Sequence, residues 1–305
     1  MQESTYNNMN AARSSKRWDN WEGHRNQINR ILHERVLKSS STDFCKAAIF
    51  GAGNCDDIDL NYWLNNVDEL WLFDIDLESV QQGIERQNID TKMIDKLKLF
   101  QIDVTGLDKI SFFNDINQML KDSTPIKKVV SYIRKIANNL EVIDDLINHY
   151  GSFSFVASSS IHTQLLYPHF NQMLSNTKDK ETLMREADYL MSTLVKNYNQ
   201  LLLNLVKENG TLFIWTDEFE LSSDRGNLHL LPQFQREILN SNYTFLSKFI
   251  YNFGLKGAVE CNKDLLSKFP NFADRLIDKT YDLIYWIWHY DLTKHYLIHC
   301  FIIRL

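Results

Sequence analysis

The chain has 305 residues and a formal net charge of −6, from 33 lysines and arginines against 39 aspartates and glutamates. That acid excess supplies no broad basic field for a nucleic-acid backbone, so no nucleic-acid partner is expected. Hydrophobic residues make up 44% and charged residues 24%, the balance of a globular chain able to bury one large core. The four cysteines, Cys45, Cys55, Cys261 and Cys300, form no CxxC pair. Neither a metal-ligand set nor a disulfide framework is therefore expected.

Residues 1–15 are polar, lack the apolar core of a secretory signal, and read as a disordered tail. Residues 16–44 form an N-terminal helical segment: Trp18, Trp21, Ile28, Ile31, Leu32 and Val36 recur at helical spacing up to about Leu37, before the run Ser39-Ser40-Ser41-Thr42. From residue 45 onward, strands alternate with helices. Short apolar runs at 47–50, 69–73, 97–102, 153–157 and 211–215 each hand over to Gly, Asp or Ser. They are apolar on both faces, as strands of a covered parallel sheet are. Helices are expected at 57–64 and 77–87, and helical insertions near 105–151 and 165–207 are read as a partial cap over a substrate pocket. Residues 281–290 and 295–305 are two further strands joined by a tight link, hence an antiparallel hairpin. The most apolar stretch, 283–305, is interrupted by Asp291, Lys294 and histidines, so no membrane span is expected. A cytoplasmic location follows as the default expectation.

Ligands of open α/β sheets lie beyond the carboxyl ends of the strands, which is where the polar residues of this chain collect. The sharpest motif is IFGAGNCDDIDL, residues 49–60. Gly51 and Gly53 permit a sharp turn and a close backbone approach to a ligand. A following helix start favours an anion such as a carboxylate. Asp74 closes the second strand about 20 residues on, the offset at which an acid binds ribose hydroxyls. Asp76 is placed to cap the next helix. Asp103 ends the third strand, where a carboxylate accepts from an exocyclic amine or caps its own loop.

Residues 49 to about 160 resemble the class I S-adenosylmethionine-dependent methyltransferases. The glycine-rich motif matches GAGNCDD, the ribose acid matches Asp74, the adenine-side acid matches Asp103, and the terminal hairpin extends the likeness to the chain end. The resemblance implies a Rossmann-like, doubly wound, mainly parallel seven-stranded sheet with a C-terminal antiparallel hairpin and helical additions. It also implies S-adenosyl-L-methionine as cofactor. Gly51, Ala52, Gly53 and Asn54 would line its methionine and ribose parts, Ile75 and Val104 would flank the adenine, and Ser158 would close the cofactor side. Two departures stand out. Cys55 occupies the place where the family often has a third glycine, and the sequence after the fourth strand is ASSSIHTQ rather than Asn-Pro-Pro-Tyr. The second departure argues against base and glutamine acceptors.

A methyl transfer needs an aligned acceptor and only sometimes a base, so no catalytic residue is obligatory. The acceptor-side candidates are Ser159, His162, Gln164 and Glu218, with Glu220 beside the last. His162 is either a base or a histidine packing a helix start. Glu218 and Glu220 either hold an amine or are solvated loop acids. Trp18, Trp21, His24 and Arg25 either pack on the sheet or fold over the cofactor, with Arg25 on its carboxylate. Tyr285, Trp286, Trp288 and Tyr290 read as hairpin packing. The acceptor expected is a small molecule or a peptide side chain. Two alternatives remain open. A nicotinamide-dependent oxidoreductase shares the GxG and the strand-end acid, but Asp56 stands at the third glycine of its fingerprint and the hairpin goes unexplained. A non-catalytic regulator or scaffold would keep the fold and the cofactor.

Overall fold

The computed structural model describes residues 16–37, 45–142, 145–175, 177–269 and 281–305. The tail at 1–15 and the run at Ser39–Thr42 lie outside the described residues. Seven strands form one sheet: β1 (Lys46–Phe50), β2 (Glu69–Asp74), β3 (Leu97–Gln101), β4 (Phe153–Ser159), β5 (Val206–Ser222), β6 (Tyr281–His289) and β7 (Lys294–Arg304). Their order is β3-β2-β1-β4-β5-β7-β6. Strands β1 to β5 are joined by parallel pairing, whereas β7 runs antiparallel to both β5 and β6. The first five positions follow the nucleotide-binding order 3-2-1-4-5, and the hairpin is folded so that its second strand, not its first, lies against β5.

The alternation of side chains sorts the core onto two faces of the sheet. Ala48 and Phe50 of β1 join one cluster, which takes in helices α4 (Phe112–Lys121), α5 (Ile126–Asn139), α6 (Tyr167–Met173), α7 (Lys180–Leu205) and α10 (Lys256–Lys268). Ala47 and Ile49 join the opposite cluster, with α1 (Glu22–Ile31), α2 (Leu60–Asn66) and α3 (Leu77–Arg86). A third cluster joins the far half of β5 and the hairpin to α8 (Leu231–Leu239) and α9 (Tyr243–Phe253).

Several boundaries differ from the sequence expectation. Helix α2 starts at Leu60 rather than 57, because Asp59 caps it by accepting from Tyr62 N at 3.0 Å. The N-terminal helix is broken: Arg17–Asn20 and Glu22–Ile31 meet at Trp21, and the last turn, Leu32–Val36, is a π-helix. Strand β5 runs on to Ser222 instead of ending near Trp215, so Asp217, Glu218 and Glu220 are strand residues, not loop acids. Helices α8, α9 and α10 have no counterpart in the sequence reading.

Candidate functional site

A cavity of about 570 Å³ lies over the carboxyl ends of the parallel strands. Its first half is built on β1, β2 and β3. Gly51 leaves β1 with φ 77° and Gly53 follows with φ 49°, left-handed backbone that suits glycine. A Cβ on Gly51 would lie 2.4 Å from Cγ1 of Ile161 and 2.8 Å from the Ser159 carbonyl oxygen. The carboxylate of Asp74 reaches across from β2: Oδ2 accepts from Gly53 N at 2.8 Å and Oδ1 from Asp76 N at 2.9 Å. Asp74 lines the cavity, where a carboxylate is the acceptor that a ligand hydroxyl requires. Asp76 caps α3 as expected from the sequence, accepting from Ser79 N.

The glycine loop is held from beneath by α3 and from the side by α1. Gly83 on α3 sits so close to the loop that a Cβ there would lie 2.2 Å from the Asn54 carbonyl oxygen. Arg86 donates to that same oxygen at 2.6 Å and pairs with Asp56 at 2.8 Å. Gln87 donates to the carbonyls of Cys55 and Ile58 and accepts from Leu60 N, each at 2.9 Å. Arg25 donates to the Asp56 carbonyl at 2.8 Å, with its guanidinium 3.5 Å over the Trp18 ring. Arg25 thus braces the loop and does not line the cavity among the described residues. Cys55, at the third glycine's place, adopts φ 53° with its side chain buried.

The cavity brings together Gly51, Ala52, Gly53, Asn54, Asp74, Ile75, Asp103, Val104, Ser159 and Gln164 of the sequence candidates. Asp103 is engaged in its own loop, accepting from Thr105 N and Oγ1 through Oδ1 and from Asp108 N through Oδ2. Ser159 donates to Asp57. Three candidates lie elsewhere. The Ser158 side chain points to the opposite sheet face, 2.9 Å from the Tyr198 hydroxyl. His162 turns inward: Nε2 is 2.8 Å from Asn199 Oδ1, and Asn199 donates in turn to Asp264. Burial lowers its pKa to about 4, which makes it a neutral core histidine rather than a base in the cavity. Glu218 is fully buried, accepting from Thr216 Oγ1 at 2.6 Å and Asn262 Nδ2 at 3.0 Å and lying 3.3 Å from His299.

The second half of the cavity is built on β4, β5 and β7 and holds residues the sequence reading did not single out. The pairing of β5 with β7 shifts register between Asp217 and Phe219. This bulge makes Glu218 the extra residue and lets Asp217 and Glu220, three apart, reach the same cavity. Asp217 is half-buried and accepts from Thr163 Oγ1 at 2.7 Å. Burial raises its pKa to about 7, opposed by the Thr163 hydrogen bond. Tyr296 and Tyr290 join the wall with Trp288 and Trp21, so the hairpin aromatics divide. Trp286 packs against His24, donating to its Nδ1 at 3.0 Å, and Tyr285 stacks on His299. Trp21 donates from Nε1 to the Tyr290 carbonyl at 2.9 Å, which fastens the N-terminal helix across the cavity edge. From the second insertion, Tyr167, Asn171, Met184 and Asp188 reach the cavity, whereas α4 and α5 of the first are ordinary flanking helices. Among the described residues no His, Cys, Asp and Glu group is arranged to hold a metal ion.

A mainly parallel sheet in the order 3-2-1-4-5 with a reversed strand inserted before the edge departs from the dehydrogenase sheet at its sixth position. The fold is that of the class I methyltransferases. No protein-family model matches the sequence, and no curated protein matches it. Among solved structures, an rRNA methylase from Streptococcus thermophilus overlaps 92% of this chain and 95% of its own at 8% identity, with a TM-score of 0.37. A methyltransferase from Thiobacillus denitrificans in complex with S-adenosyl-L-homocysteine overlaps 93% and 92% at 8% identity, with a TM-score of 0.36. An O-methyltransferase family protein from Burkholderia thailandensis overlaps 91% of this chain and 58% of its own at 11% identity, with a TM-score of 0.32. These overlaps are loose, and the fold assignment rests on the strand order and direction. Among the described residues no helix is long and apolar enough to cross a membrane.

Proposed function

We propose that the chain is an S-adenosylmethionine-dependent methyltransferase acting on a small molecule or a peptide side chain. The observation that carries this reading is the pairing of the left-handed Gly51–Gly53 turn with Asp74, inside a sheet whose strand β7 is reversed. The donor set suits the cofactor. Asp74 offers carboxylate lone pairs to ribose hydroxyls, and Phe73, Ile75, Ile102 and Val104 give the cavity an apolar wall for a purine. Gly51, Ala52, Gly53 and Asn54 would hold the methionine part, and Asp103 would stand beside the adenine.

Bound there, the cofactor would supply a methyl group activated by its bond to a sulfonium sulfur. The chain's own work is to orient, to desolvate and to take up a proton where the acceptor carries one. Asp74 and the glycine turn fix one reactant. The half over β4, β5 and β7 positions the other, while Trp21, Trp288, Tyr290 and Tyr296 exclude water. His162 and Glu218 take no part, since neither lines the cavity.

Removing the Asp74 carboxylate loses charge-assisted hydrogen bonds, and an arginine at Gly53 fills the turn. Asp74→Ala is expected to weaken S-adenosylhomocysteine binding at least about tenfold, and Gly53→Arg to abolish it, with the circular dichroism of both variants unchanged. Wild-type affinity in both variants refutes the site.

A further inference from the structure

The acceptor half of the cavity carries Asp188, Asp217 and Glu220, which differ in partner and exposure. Glu220 pairs with Arg225 at 3.2 Å and accepts from Ser222 Oγ. Asp188 accepts from the Tyr167 hydroxyl and is exposed, so water solvates its charge. Asp217 differs: Thr163 Oγ1 donates to one of its oxygens, and among the described residues no lysine, arginine or histidine pairs with it. Lys256, at the cavity wall, is paired with Glu260 at 2.9 Å. The aromatic wall offers no open cage for a quaternary cation, because the Arg17 guanidinium already lies 4.6 Å over the Trp21 ring and 4.9 Å over that of Tyr290. The acceptor half therefore has an apolar aromatic wall and, in Asp217, a half-buried carboxylate that no cation pairs among the described residues.

We propose that the acceptor is a primary or secondary amine, held at Asp217 and relieved of its proton by that carboxylate. This rests on the methyltransferase reading of the same cavity. The ammonium form first pairs with the carboxylate, and its proton passes to Asp217. The freed nitrogen lone pair then forms the new N–C bond to the methyl carbon. The S–C bond breaks with its electron pair kept by sulfur, leaving S-adenosylhomocysteine and the methylated, protonated amine. Thr163 is the positioning residue, since its hydroxyl holds Oδ1 and fixes the carboxylate at the cavity wall. The β5 bulge sets this geometry, as a register without it would place Asp217 and Glu220 on opposite faces.

The raised pKa agrees with this assignment. The charged and titratable groups around Asp217 are Glu218 and Glu220 on its own strand, Tyr296 on β7, and Asp188, Arg225 and Lys256 along the wall. The nearest acids raise Asp217 further, so an arriving ammonium group gains by relieving them.

The test uses the full chain in two stages. The protein is first titrated with S-adenosylhomocysteine, whose failure to bind would defeat the underlying cofactor reading before any acceptor is added. The saturated complex is then titrated with phenethylamine, 2-phenylethanol and phenylacetate. At about pH 8.5, where Asp217 is ionised, phenethylamine is expected to bind at least about tenfold more tightly than the alcohol, the worth of one charge-assisted contact. That preference is expected to disappear at about pH 5.5, where Asp217 holds a proton, and in Asp217→Asn, while Asp217→Glu retains part of it. S-adenosylhomocysteine affinity should be the same in all three proteins. Equal or tighter binding of the alcohol or the carboxylate, no binding of the amine, or a preference that survives in Asp217→Asn would overturn the proposal.

Discussion

At the scale of single residues, Asp217 should make stability depend on pH. Its folded value, about 7, stands above the 3.8 of an ordinary aspartate. Between those values the folded chain holds the proton and the unfolded chain does not, so stability is greatest below the lower one and falls as pH rises toward the upper one. Above it the full penalty applies, bounded at about 4 kcal/mol by the size of the shift. Asp217→Asn should therefore melt higher than the parent at about pH 8 and lose that advantage at about pH 4. Calorimetric melting at the two pH values measures it, and a pH-independent difference would contradict the assignment. Glu218, the next residue, behaves oppositely. It is buried among Thr216, Asn262 and His299, so Glu218→Ala should cost about 3 kcal/mol by leaving those partners unmatched. The loss should appear in the melting temperature and leave S-adenosylhomocysteine affinity at its wild-type value. A loss of affinity at unchanged stability would return Glu218 to the cavity.

At the scale of elements, the glycine loop depends on helices that never touch the cavity. Gly83 lets α3 approach the Asn54 carbonyl, and Arg86 and Gln87 on the same stretch hold that carbonyl, the Asp56 carboxylate and the Cys55 carbonyl. An alanine in a helix interior ordinarily stabilises by about 1 kcal/mol over glycine. Here the added methyl meets backbone at 2.2 Å, so Gly83→Ala should lower both stability and cofactor affinity. A variant more stable than the parent would show that the loop gives way without cost. The N-terminal helix acts from the other side: Arg25 fixes the Asp56 carbonyl and Trp21 the Tyr290 carbonyl. Arg25→Ala should weaken S-adenosylhomocysteine binding by about tenfold through the loop, although Arg25 lines no part of the cavity. Wild-type affinity there would show the loop to be self-supporting.

At the scale of the whole molecule, the sheet was legible because its parallel strands are apolar on both faces and end abruptly. IFGAG, ELWLFD and the 153–157 run each carry that signal, and the tight turn at Asp291 announces the hairpin. The far half of β5 was not legible, because Asp217, Glu218 and Glu220 break the apolar pattern and the bulge shifts the alternation by one residue. Helices α8 to α10 carry readable starts, with a proline in the first turn of α8 and Asn242 capping α9, yet the sequence reading leaves them unassigned. The cofactor half of the site consists of backbone turns and strand-end acids, which local sequence specifies. The acceptor half is assembled from β4, β5, β6, β7, Trp21, α6, α7 and α10, and no local pattern records that meeting. His162 shows the same limit: its neighbours Ile161 and Thr163 face the cavity while it turns to Asn199 on α7. The central claim is that this sheet and its glycine turn bind S-adenosylmethionine rather than a nicotinamide dinucleotide. Calorimetric titration of the full chain with S-adenosylhomocysteine, run beside NAD, tests it most directly. The account predicts micromolar binding of the first, about −8 kcal/mol, and none of the second. Binding of NAD alone, or of neither, would contradict it.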